Sequence, residues 1–490
     1  MLSLPSETLH SIFENLIKSV VPEEYLSTAI ALSHVCRSFR QVAVHCPELW
    51  TCLKRKSSCI ELDAVETCIE RSRDRPLDVA FSLHPHSTLG QDYLPSTMAG
   101  DTVVQALLST NKRWRRCTIY LCGEEPSSCD ATDDKLVPFH FQTTSSGVDA
   151  PILEHLSFLA HPSLTRLIAN GPRKLDEFSP ISNWVIPNLR SVTIQNALSS
   201  SIPSKFRAQL TDLEVRVVGP DVNVHSRICD ILEFGIGTTS VSTLRLSFNG
   251  CRFNPAAYPR PKAGMFSSVR SLYIEILNCI QPGPYDNLST LRRSFSGFGL
   301  RMKGVVELRI TFDVGNSGEE NNLIRWRGLI STLHSLLHAG RYTVLEILDV
   351  TILGRNQQEN ANSSHDEQEN IPVVLLPHCC IPSIKNLRIE TALDLSIVGD
   401  VGDTSISDSE DLELLFIKRE EVLRPISLET VTLTVSKVKG FVPWVRQLVS
   451  KMRETSCWNR FSKLTMVRNG EQEVIPRDDV ELWCDDAINS

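Results

Sequence analysis

Apolar residues recur every three or four positions near the start of the chain and in short alternating runs after it. Leu9, Ile12, Phe13, Leu16 and Val20 fall on one face of a helix. Pro5 fits the first turn, where its missing N–H costs nothing, and Glu7 suits the positive end of the helix dipole. Pro22-Glu23-Glu24 marks a second helix start. Leu26, Ile30, Leu32, Val35, Cys36, Phe39 and Val42 then continue as one stripe that Pro47 ends, and Leu49 with Trp50 is expected to fold back onto the pair. Leu62, Val65, Cys68 and Ile69 predict a short amphipathic helix, and residues 76–81 alternate like a strand. Asp101 heads a helix carrying Val104, Leu107 and Leu108, and residues 114–121 alternate again. Helices alternating with strands predict α/β units with parallel strands.

From residue 150 one spacing returns: apolar, two variable, apolar, one variable, apolar. It occurs at Leu153-Leu156-Phe158, Leu189-Val192-Ile194, Leu210-Leu213-Val215, Val241-Leu244-Leu246 and Val269-Leu272-Ile274. Further copies are Val305-Leu308-Ile310, Leu345-Leu348-Val350, Ile384-Leu387-Ile389 and Leu428-Val431-Leu433, with partial copies at Leu164-Leu167 and Leu464-Met466. Helices are predicted between them over 226–234, 323–339 and 442–454. The spacing resembles the strand signature of leucine-rich repeats, although the Asn or Cys expected after each strand is mostly missing and the copies lie roughly 20 to 45 residues apart. The expected fold is α/β: a small all-helical N-terminal module over residues 1–53, then an irregular leucine-rich-repeat-like α/β solenoid with a parallel sheet on its concave face. Residues 54–121 form the transition, 122–470 the array, and 471–490 a C-terminal tail.

Stacking places the residue between the last two apolar positions of each copy on one outward row: Ser157, Thr193, Glu214, Arg245, Tyr273, Arg309, Asp349, Arg388 and Thr432. The candidate cargo contacts are Arg245, Tyr273, Arg309 and Arg388. A tyrosine flanked by arginines has the composition of an interface anchor, and three guanidinium groups favour an acidic or phosphorylated partner. Residues 354–370 and 399–411 carry almost no apolar content or an acidic run, and are expected to be mobile surface loops. Ser405 and Ser407 in the second each have an acidic residue three positions on, which suits an acid-directed kinase.

Composition narrows the partners. The net charge of −8 leaves no basic excess with which to grip nucleic acid. No apolar stretch approaches about 18 residues and no basic-then-apolar start is present, so neither a membrane span nor a secretory signal is expected. The 15 cysteines include no Cys-x-x-Cys pair, and Cys117, Cys122 and Cys129 are too loosely spaced for a zinc site. Reduced, mostly buried thiols in the cytoplasm or nucleus are the expectation.

The first fifty residues also carry a motif. Leu4-Pro5-Ser6-Glu7, the stripe through Leu9, Ile12 and Leu16, then Val35-Cys36-Arg37 with Phe39, and Pro47-Glu48-Leu49-Trp50 stand in the order of an F-box. Phe39 stands where that family usually has Trp, and the spacer from Leu16 to Val35 is longer than its usual pattern. The long second part resembles the divergent F-box families of basidiomycete fungi. The resemblance implies a Skp-type adaptor as partner, bound through Leu4, Pro5, Leu9, Ile12, Leu16, Val35, Cys36, Phe39, Leu49 and Trp50. Through the adaptor it implies a Cullin ubiquitin ligase, with a protein substrate held by the repeats.

No catalytic constellation stands against this reading. The chain has no phosphate loop ending in Lys-Ser/Thr, no Gly-x-Ser-x-Gly elbow and no nucleotide fingerprint. His334 and His338 lack the Glu that a zinc protease needs beside the first histidine. A non-catalytic substrate-receptor subunit without cofactor or metal is expected. The alternatives are a repeat scaffold whose N-terminal helices only cap the array, and an F-box protein acting outside the ligase.

Overall fold

In a computed structural model of the chain the described residues are 4–20, 25–54, 62–83, 103–121, 148–160, 181–196 except 182, 202–219, 224–251 except 236, 266–279, 302–313, 342–354, 373–376, 383–398 except 394, 426–489, and positions 333, 336 and 337. They divide into two compact units, Met1–Val215 and Arg216–Ser490. The expected loops at 354–370 (beyond Gly354) and 399–411, with Ser405 and Ser407, lie outside the described residues, as do His334 and His338.

The first unit opens with helices α1 (Ser6–Ser19), α2 (Tyr25–Val35) and α3 (Arg37–His45), closed by a 3-10 turn over Pro47–Trp50. Pro5 caps α1, and its carbonyl accepts the Leu9 N–H at 3.1 Å. The stripe from Leu26 to Val42 is not one helix. Cys36 is extended (φ −159°, ψ 175°) and parts α2 from α3. The break leaves the last α2 carbonyls to find partners. Arg40 Nε donates to Ser33 O at 2.9 Å, and Ser33 Oγ to Ile30 O at 2.7 Å. A 3.6-residue period runs through such a break unnoticed, because both halves keep their apolar residues in phase.

Behind these helices come β1 (Cys52–Lys54), α4 (Leu62–Arg71), β2 (Leu77–Leu83), β3 (Trp114–Leu121), β4 (His155–Ala160) and β5 (Ser191–Gln195). The strands pair in chain order and all in parallel. Residues 103–108 are helical, with Val103, Val104, Leu107 and Leu108 buried. Phe81, Trp114 and Trp184 are fully buried and meet ring to ring, at 6.2 Å and 6.0 Å between centroids.

Strand β6 (Asp212–Val218) crosses the boundary between the units. The second unit holds α5 (Val224–Phe234), β7 (Thr243–Asn249), β8 (Ser271–Leu277), β9 (Glu307–Asp313), β10 (Ile347–Leu353), β11 (Val373–Leu375), β12 (Asn386–Thr391), β13 (Ser396–Val398) and β14 (Thr430–Val435). It ends with α6 (Val442–Glu454), β15 (Lys463–Arg468), β16 (Glu471–Pro476) and α7 (Val480–Asn489). The order β7-β8-β9-β10-β12-β14-β15 is parallel throughout; β11 and β13 form a separate parallel pair.

One backbone device repeats. Two successive N–H groups entering β8 donate to Ser242 O, two entering β9 to Arg270 O, two entering β10 to Val306 O, two entering β12 to Glu346 O, and two entering β14 to Lys385 O. Each acceptor is the residue after the first apolar position of a sequence copy, so the copies stack in strict register. Their alternating burial puts the apolar positions inside, as at Leu244, Leu246, Leu272, Ile274, Leu308 and Ile310.

Residues 471–490 are not a tail. Asn469 and Gly470 adopt positive φ (52° and 83°), the two-residue turn that hairpins favour, and β16 returns antiparallel along β15. Helix α7 then lies against α6 through an Arg453–Glu481 ion pair at 2.7 Å and an Arg446–Asp485 pair. Ile475, Val480 and Cys484 are buried beneath.

Candidate functional site

The helical module sorts its apolar residues into two sets. Leu9, Phe13 and Ile17 of α1 point inward, and the Phe13 ring meets Phe39 edge-on at 5.3 Å. Leu49 and Trp50 are also buried; the Trp50 indole N–H donates to Ala43 O at 2.8 Å and the Arg71 guanidinium lies 4.5 Å over its ring. Among the described residues of the module, four large apolar side chains stay in water: Leu4 (53% exposed), Ile12 (46%), Ile30 (46%) and Val35 (61%). Four in so small a module are the surface expected of a domain that docks on something else.

Residues 1–56 match the family model described as F-box-like. This region is an F-box-like domain. No curated protein matches the chain.

Of the ten residues expected at the adaptor, the F-box-like domain exposes Leu4, Pro5, Ile12, Val35 and Cys36, half-buries Leu16 and Phe39, and buries Leu9, Leu49 and Trp50. The last three hold the domain together and present no surface to a partner. Ile30 joins the exposed group although the motif did not include it. Helix α2 is apolar on nearly every side (Leu26, Ala29, Ile30, Ala31, Leu32, Val35), so its sequence alone does not tell the buried face from the open one.

The strand row in the second unit is a physical ladder. Arg245 is in register with Tyr273, Tyr273 with Arg309, Arg309 with Asp349, Asp349 with Arg388 and Arg388 with Thr432. Tyr273 lies between two cations: the Arg245 guanidinium is 5.1 Å and that of Arg309 5.3 Å from its ring centroid. Glu307, two residues before Arg309 on β9, accepts from Arg309 Nε at 2.7 Å and from Ser271 Oγ at 3.0 Å. Arg388 donates to Glu390 at 2.7 Å. Asp349 sits between Arg309 and Arg388, yet burial holds its carboxyl above the usual range and outweighs both cations. In the first unit the same row pairs Ser157 with Thr193, whose hydroxyl donates to Glu214 at 3.2 Å.

Of the three arginines expected to attract an acidic partner, Arg309 and Arg388 are thus met by carboxylates of their own strands, while Arg245 lies against the Tyr273 ring. With Glu275 also on this face, the row is charge-balanced. Recognition of a highly charged anion is not what this arrangement favours. An aromatic plate with guanidinium groups on both sides, set among paired donors and acceptors, suits a polar peptide or protein surface.

Proposed function

We propose that the chain is the substrate-receptor subunit of a Skp/Cullin/F-box ubiquitin ligase. The F-box-like domain over residues 1–56 carries the reading, and its exposed Leu4, Ile12, Ile30 and Val35 supply the surface on which a Skp-type adaptor would pack. The stacked, in-register strands support a leucine-rich-repeat-like solenoid as cargo platform, with Tyr273 between Arg245 and Arg309 at its contact face. The chain itself would make and break no bond. It would raise the concentration of a bound protein beside the ligase, in the cytoplasm or nucleus. Among the described residues no helix is long and apolar enough to cross a membrane.

The test is adaptor capture by the full chain carrying Ile12→Asp and Val35→Asp. Truncating central apolar anchors costs about 2 kcal/mol or more at an interface, so recovery should fall at least about tenfold while the fold stays intact. Undiminished recovery ends the adaptor reading. Adaptor without Cullin in the same pull-down points to an F-box protein outside the ligase. Tyr273→Ala should spare adaptor binding and deplete the proteins captured through the strand face.

A further inference from the structure

We propose that His10, Cys46 and Glu48 form a binding site for one zinc ion in the F-box-like domain. One ligand atom from each residue lies within 4.8 Å of the other two. His10 is on α1, Cys46 ends α3, and Glu48 belongs to the 3-10 turn that follows. Three segments distant or bent in sequence therefore present a nitrogen, a sulfur and an oxygen to one point.

Zinc bonds of about 2.0–2.3 Å place tetrahedral ligand atoms roughly 3.3–3.8 Å apart. Cys46 Sγ and Glu48 Oε2 already stand at 3.6 Å. Arg75 holds the other carboxylate oxygen of Glu48 at 2.7 Å, which fixes the group with Oε2 toward the sulfur. His10 closes the remaining gap by a side-chain adjustment of about 1 Å, which a half-buried imidazole on a helix surface makes easily. Glu14, 3.2 Å from His10 Nε2, adds negative charge beside the ring. His10 and Glu48 are half-buried and Cys46 fully buried, so an ion has both a route from solvent and a dry sulfur to bind.

The donor set selects the ion. Thiolate with imidazole and one carboxylate suits zinc; magnesium and calcium take oxygen ligands. On binding, the thiol proton leaves to solvent as the sulfur–zinc bond forms, and water fills the fourth position. Such an ion ties α1 to the Pro47–Trp50 turn, in a module of about fifty residues that has little core of its own and gains most from a staple.

Metal content tests this independently of adaptor binding. The full chain would be stripped with chelator, reloaded with Zn²⁺, desalted, and its zinc per chain measured by plasma mass spectrometry. Wild type and Cys36→Ser, which changes an exposed cysteine of the same module, should retain one more zinc than Cys46→Ser or His10→Gln. The Co²⁺-loaded wild type should show a thiolate charge-transfer absorption that weakens in Cys46→Ser. His10→Gln leaves the core untouched and decides the matter if Cys46→Ser fails to fold. Equal zinc in wild type and His10→Gln overturns the proposal.

Discussion

Replacing Trp50 by Ala should unfold the F-box-like domain, and adaptor binding should go with it. Trp50 is only 3% exposed and plugs the space between α3 and α4. Truncating a buried aromatic of this size costs about 3–5 kcal/mol in transfer and cavity terms. Loss of the indole hydrogen bond to Ala43 O adds about 1 kcal/mol, and loss of the Arg71 stacking about 0.5–1 kcal/mol. Ala43 O also accepts from the Cys46 N–H, so the carbonyl is not left wholly unpaired and the second figure is an upper one. The sum, about 4.5–7 kcal/mol with that upper figure, matches or exceeds the roughly 3–5 kcal/mol that a core of this size supplies. Trp50→Phe keeps most of the apolar bulk and should cost only about 1–2 kcal/mol. Amide hydrogen exchange of the full chain, read by peptide, is the assay. Residues 6–45 should lose protection in Trp50→Ala and keep most of it in Trp50→Phe, with β7–β10 unchanged in both. Retained protection of α1–α3 in Trp50→Ala would refute the assignment of Trp50 as the residue that closes the domain.

Ending the chain after Gly470 should destabilise the second unit, because it removes the buried side chains of Ile475, Val480 and Cys484 and bares the edge of β15. At roughly 1.5–3 kcal/mol for each of the two larger apolar side chains the loss is about 3–6 kcal/mol, visible as a lower melting temperature or insoluble expression. Gly440→Ala should cost about 2–3 kcal/mol by thermal denaturation, since the added methyl would stand 2.2 Å from Leu395 O, a backbone atom of the segment leading into β13. Asp349 gives a pH signature. Its folded carboxyl holds its proton to higher pH than the unfolded chain does, so its contribution is present at low pH and lost as pH rises through the folded value. Asp349→Asn should therefore gain stability relative to wild type as pH rises above the ordinary carboxylate value of about 4 in denaturant titrations, and a difference that does not change with pH contradicts that burial.

Much of this protein was written in its periodicity. A strand with one buried face shows alternation, and the spacing of apolar triplets placed the strands and even the row on which Arg245, Tyr273, Arg309, Asp349 and Arg388 meet, because stacking in register depends only on repeating the same local pattern. The F-box-like order of motifs was likewise local information. The closing hairpin is legible too: Asn469-Gly470 between alternating residues is a strong turn signal that stands against a plain tail over 471–490. Other features belonged to the tertiary structure alone. Which apolar residues of α1 and α2 face inward was settled by Phe39, Leu49 and Trp50 arriving from later in the chain, and this left Ile12, Ile30 and Val35 in water. The break at Cys36 depends on Arg40 reaching back to Ser33 O. The charge balance of the ladder depends on Glu307 and Glu390 standing two residues from the arginines they neutralise, on the same face of their strands. Periodicity encodes which positions face together; what each side chain then meets is fixed only when the elements pack.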